Sequence, residues 1–86
     1  MSSTGIELTF VDIINRAIRS KRAVSIIIED VRDDWGSGDA SVIVKSGGLD
    51  VVIRLPGPSS ARGYARAIAD VCAAMGAECV ERDDAE

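Results

Sequence analysis

The chain contains no histidine. That removes the commonest general base, and with it Ser/His and Cys/His nucleophilic catalysis, along with the commonest zinc ligand. Aromatic residues make up only 3%, too few for the stacking platforms that hold single-stranded nucleic acid. Two cysteines occur, Cys72 and Cys79, not spaced as C-x-x-C. With no further cysteine or histidine to complete a zinc site, they read as free thiols in a reducing cytoplasm. No apolar run approaches the ~20 residues that span a bilayer. Residues 1–8 have neither the basic start nor the apolar stretch of a signal peptide. The sequence therefore predicts a cytoplasmic chain with no membrane contact. Positive charge is also in deficit: 10 Lys and Arg stand against 14 Asp and Glu, a net charge of −4. Nucleic-acid binders usually carry a basic footprint, so this balance suits an acidic surface that meets a basic partner.

What is present is a globular composition, 47% hydrophobic and 28% charged over 86 residues. That implies one domain, residues 1–86, with an aliphatic core of modest size and with 1–5 and 82–86 as flexible tails. The strongest local signal is the Gly47-Gly48 pair between two runs of alternating apolar residues, a two-residue hairpin turn. Closing the turn there sets the register of residues 40–55. Ser46 meets Leu49, Lys45 meets Asp50, Val44 meets Val51 and Val42 meets Ile53. One face then carries Ala40, Val42, Val44, Val51, Ile53 and Leu55; the other carries Ile43, Val52, Ser41, Arg54, Lys45 and Asp50.

Thr9 with Asp12 three residues on is an acidic capping box, and Phe10, Ile13, Ile14, Ala17 and Ile18 follow at helical spacing. Arg19, Lys21 and Arg22 collect where that helix ends, as cations suit the helix dipole. Residues 23–31 alternate as a strand, placing Val24, Ile26 and Ile28 on one face and Ile27 on the other. Beyond the hairpin, Pro56-Gly57-Pro58 stops the strand, and Ser59 or Ser60 reads as the cap of a second helix. Its apolar stripe is Ala61, Tyr64, Ala65, Ile68, Val71, Cys72 and Met75, and Gly76 closes it. A short strand at 77–80 and an acidic tail complete the reading. The predicted fold is an α+β two-layer sandwich in α-β-β-β-α(-β) order. It has an antiparallel three-stranded meander with two helices packed on one face.

Several clusters resemble chemical sites and reduce to structure. Asp33, Asp34, Ser37 and Asp39 lack EF-hand spacing and read as a solvated acidic turn. The segment 57–63 has neither the spacing nor the lysine of a Walker A loop and reads as helix capping. No catalytic residue, cofactor or metal is predicted. Three features remain. Trp35, the only tryptophan, sits in the acidic connection, either tucked over the sheet edge or presented to a partner as a contact residue. Glu29, Asp30, Asp33, Asp34 and Asp39 form an acidic array suited to a basic protein surface. Ile27, Ile43 and Val52 face away from both helices with nothing in the sequence to cover them, which predicts self-association as a homodimer.

The element order over residues 10–75 resembles the double-stranded RNA-binding domain. That family grips phosphates with a lysine-rich start to its second helix; Ser59, Ser60, Ala61 and Arg62 stand there in this chain. The resemblance implies nucleic-acid contacts from Arg16, Arg19, Lys21, Arg62 and Arg66. The inventory as a whole favours a different expectation: a small acidic non-enzymatic binding protein, an inhibitor or adaptor acting on a larger protein with a basic surface. Small phage or mobile-element inhibitors of nucleic-acid-handling machinery, of the anti-CRISPR kind, share that profile.

Overall fold

The chain folds in the order α1 (Phe10–Ser20), β1 (Val24–Asp30), β2 (Ala40–Ser46), β3 (Leu49–Leu55), α2 (Pro58–Met75) and β4 (Cys79–Asp83). The structure is a computed structural model that describes residues 9–31 and 38–85. The β2–β3 turn sits on Gly47 and Gly48, whose φ values of 58° and 87° are left-handed, as primed hairpin turns require. The pairing from Ser46↔Leu49 through Ala40↔Leu55 follows the predicted register throughout. β1 joins β2 antiparallel, with Ile27 opposite Ile43 and Ile26 opposite Val44.

The meander is only part of the sheet. β4 pairs parallel to β1, from Val24↔Cys79 to Ile28↔Asp83. The result is a mixed four-stranded sheet in the order β3-β2-β1-β4. The expected tail at 82–86 is therefore strand at its start. Arg82 and Asp83 belong to β4, and the Asp84 amide donates to the Ile28 carbonyl at 2.7 Å. Alternation of apolar residues could not reveal this strand, because Glu81, Arg82 and Asp83 give it the composition of a solvated end.

Each helix forms for a local reason. Thr9 caps α1: its side chain accepts from the Asp12 amide, and the Asp12 carboxylate accepts from the Thr9 amide at 2.9 Å. Those bonds hold the Asp12 carboxyl below its ordinary value of 3.8. α1 stops at Lys21, a non-glycine residue at φ 55°. α2 differs from expectation at its start: Gly57 is the N-cap and makes no side-chain cap bond, with Pro58 in the first turn. A proline fits there because its missing N–H would be unpaired anyway. Ser59 and Ser60 are thus helical residues rather than caps. Gly76 closes α2 at φ 82°, as read from the sequence.

Both helices bury one stripe in one cluster. Ile13, Ile14 and Ala17 of α1 and Ala61, Ala65, Ile68 and Cys72 of α2 pack with Val24, Ile26, Ile28, Val42 and Val44. All those strand residues share a face. The smallest extent of the molecule is 19 Å, the thickness of one helix layer on one sheet. Among the described residues no helix lies over the opposite face of the sheet. Ile26, 1% exposed, and the half-buried Ile27 therefore serve as an internal comparison. Ile26→Ala is expected to lower unfolding stability by about 2–5 kcal/mol and Ile27→Ala by less than about 1.5 kcal/mol, measured by urea denaturation. Equal losses would place the core on the wrong face.

Candidate functional site

The register sorts the uncovered face into rows. Val52, Ile43, Ile27 and Arg82 lie side by side across β3, β2, β1 and β4. Asp50, Lys45, Ser25 and Val80 form the next row, on the side of the Gly47-Gly48 turn. Arg54, Ser41 and Glu29 form the row on the other side. Val52 is 59% exposed and Val80 52%, while Ile27 and Ile43 are half-buried between their neighbours. The three residues read from the sequence are therefore brought together. Val80 joins them, which sequence reasoning missed because the β4 pairing was not visible. The signal for Val80 was its apolar side chain just after the α2 terminator.

The two ends of the sheet differ in charge. At the end where β1 and β4 finish, three cations are neutralised. The Arg54 Nε donates to the Asp39 carboxylate at 2.9 Å, Arg62 to Asp83 at 2.7 Å, and Arg82 to Asp84 at 3.0 Å. The predicted acidic array is thus thinner than its sequence. Asp39 is engaged by Arg54 and Asp30 also has an interaction partner, while Glu29 stands exposed. Asp33, Asp34 and Trp35 lie outside the described residues.

At the opposite end the cations are differently placed. Arg16, Arg19 and Arg22 line a groove of about 340 Å³ with Ser46, Gly47 and Leu49. An adjoining groove of about 380 Å³ shares Ser46, Gly47 and Leu49 and adds Lys45. Arg22 is laid across the turn: a Cβ on Gly47 would sit 3.5 Å from the Arg22 Cδ. The Ser46 hydroxyl donates to the Ala23 carbonyl at 2.9 Å and ties the hairpin to the end of α1. Arg16 also lies near Asp12. Among the described residues, Arg19, Lys21, Arg22 and Lys45 form no ion pair. Lys45 faces Asp50 across the hairpin, as the register requires, without an ion-pair contact.

The residues assigned to nucleic-acid contact therefore divide. Arg16 and Arg19 line the groove at the turn end and Lys21 is the C-cap of α1, whereas Arg62 is bound to Asp83 and also donates to the Ala85 carbonyl at 3.4 Å. Arg66 lines a separate groove of about 300 Å³ between α2 and β4, beside Arg62, Glu81 and Asp83. The described element order contains the predicted α-β-β-β-α, with β4 paired to β1 as an addition.

The thiols lie between α2 and β4. Cys72 is fully buried and Cys79 partly so. Burial raises the Cys72 thiol; burial and then the neighbouring Cys72 push Cys79 up to about 11. Both are protonated at neutral pH and are poor nucleophiles. Among the described residues no group of three potential ligands is placed to hold a metal ion, and no helix is long and apolar enough to cross a membrane. Comparison with protein-family models, with curated proteins and with solved structures finds no match to this chain.

The Arg62–Asp83 pair fastens the end of β4 under α2, and it has a pH signature. The Arg62 hydrogen bond lowers the Asp83 pKa from 3.8. A carboxyl lowered in the folded state contributes stability above its unfolded value and loses it as pH falls through the folded value. Protection of the Asp84 amide from hydrogen exchange should accordingly fall as the solution is acidified below about pH 4. Asp83→Asn should reduce that protection already at neutral pH. A protection factor unchanged from about pH 6 to about pH 2 would exclude the clamp.

Proposed function

We propose that the chain is a small non-enzymatic binding protein, an adaptor or inhibitor that works by protein–protein contact through the outer face of its sheet. The observation that carries this reading is the apolar patch of Val52, Ile43, Ile27 and Val80 on a face over which no helix lies among the described residues. Patches of this kind on small chains mark association surfaces. The absence of histidine and the raised thiols argue against an enzyme. Exposed Glu29 and Lys45 flank the patch with opposite charges, so the matching surface is apolar at its centre and charged at its rim. The expectation of a basic partner now rests, among described residues, chiefly on Glu29.

Val52 sits on the open face of an edge strand, so Val52→Asp leaves the core intact while placing a charge in the patch. Immobilised wild-type protein should retain its partner from an extract of the native host, and Val52→Asp should retain at least about tenfold less. Equal retention by both, with equal thermal melts, would sink the reading.

A second reading is favoured by one observation: Arg19, Lys21, Arg22 and Lys45 lie towards the turn end of a net acidic molecule and form no ion pair among the described residues. Cations so placed suit the phosphates of duplex RNA. In a gel shift at low salt, wild type should bind and the double variant Arg19→Glu/Arg22→Glu should bind at least about tenfold more weakly. No shift by wild type at low salt would remove this reading, because the electrostatic contribution is largest there.

A further inference from the structure

We propose that the outer face of the sheet is a two-fold interface between copies of this chain, with the row Val52–Ile43–Ile27 lying along the symmetry axis. The proposal rests on the reading of that face as an association surface and names its occupant.

The argument is one of self-complementarity. In a two-fold dimer the same patch serves both copies, so every contact occurs twice. Face-to-face packing about an axis along the middle row sets Val52, Ile43 and Ile27 each against its own copy. The same operation sets the turn-side row against the opposite row. Asp50 then faces Arg54 of the partner subunit, and Lys45 faces Ser41 beside Glu29 of the partner subunit. Asp50 with Arg54 is a pairing of opposite charge, made beside the Arg54–Asp39 bond, whereas Lys45 reaches Glu29 of the partner subunit on the diagonal, one strand over. Arg82, at the end of the middle row, meets its own copy as a pair already neutralised by Asp84 at 2.9 Å. An axis along the strands performs worse. It would keep Ile43 against Ile27 of the partner subunit but set Val52 against Arg82 of the partner subunit and Asp50 against Val80 of the partner subunit, so both exposed valines would meet charge. The pattern of residues therefore selects one axis of the two.

The dimensions set the strength. Four strands at about 4.8 Å and five residues at about 3.3 Å give a face of roughly 19 Å by 17 Å. That is small beside the ~800 Å² per partner of a standard interface. The dimer is therefore expected to be reversible, with a dissociation constant in the range of about 1–100 µM.

Sedimentation equilibrium from about 5 to about 500 µM tests this. Wild type should pass from monomer to dimer across that range, and Val52→Asp should remain monomeric. Lys45→Glu and Glu29→Lys should each weaken the dimer at least about fivefold, and the double variant should recover most of the loss. Both residues are exposed and form no ion pair among the described residues, so melting temperatures report whether the fold is kept. A dimer broken by Val52→Asp but indifferent to the charge swap overturns the axis. A chain monomeric at about 500 µM overturns the dimer. In that case, loss of partner retention by Val52→Asp would leave the face as an association surface for another protein, whereas unchanged retention would remove both readings.

Discussion

Side chains on a strand alternate between faces, and in this chain one turn decides which set points inward. Gly47 and Gly48, both left-handed, close the hairpin with no residue to spare. A shift by one position would turn Val42, Val44, Val51 and Ile53 to solvent and bring Lys45 and Arg54 under the helices. Several fully buried aliphatic side chains would be exchanged for charges without partners, a cost far beyond the stability of a domain of this size. Everything else inherits that choice. β1 can pair with β2 in one register only, because Val24, Ile26 and Ile28 must join the same core. The rows on the outer face follow with no further freedom.

β4 is held by other means. Its inward residues after Cys79 are Glu81 and Asp83, which cannot pack as Val or Ile would. The chain meets them with arginine: Arg62, in the first half of α2, reaches Asp83 and the Ala85 carbonyl. Each is largely solvent-exposed, so the pair contributes direction more than strength. Most of the attachment lies in the parallel backbone ladder from Val24 to Ile28. β3, α2 and β4 thereby form a crossover between parallel strands that passes over β2 and β1. The buried Cys72 and the partly buried Cys79 lie where that crossover turns back into the sheet.

How far the sequence could be read follows the physical source of each feature. The hairpin register, the Thr9 capping box, the apolar stripes of both helices and the Gly76 terminator are local, and all were legible. The start of α2 was misplaced because proline in the first turn substitutes for a side-chain cap. β4 was half seen. Its ladder depends on a strand more than fifty residues away, and its charged residues are satisfied by α2 rather than by burial. The same long-range pairing decided the candidate surfaces. Ile27, Ile43 and Val52 were legible from alternation, whereas Val80 needed the β4 register. Arg62 and Asp39 looked like free charges and are each other-directed, to Asp83 and Arg54. No pattern within either segment announces those partners.

The charged composition of β4 has one more consequence, for assembly. A sheet with two open edges invites further strands, and among the described residues β3 and β4 are the edges. On β4, Glu81, Arg82 and Asp83 put a charge on every successive side chain, so a strand added there would confront carboxylates and a guanidinium on both faces. β3 carries Asp50 and Arg54 on its outer side and ends against Pro56, which has no amide to extend a ladder. Growth by edge addition, the route to fibrils, is thus obstructed on both sides. The proposed face-to-face dimer, by contrast, would stop at two copies, since a two-fold axis closes on itself.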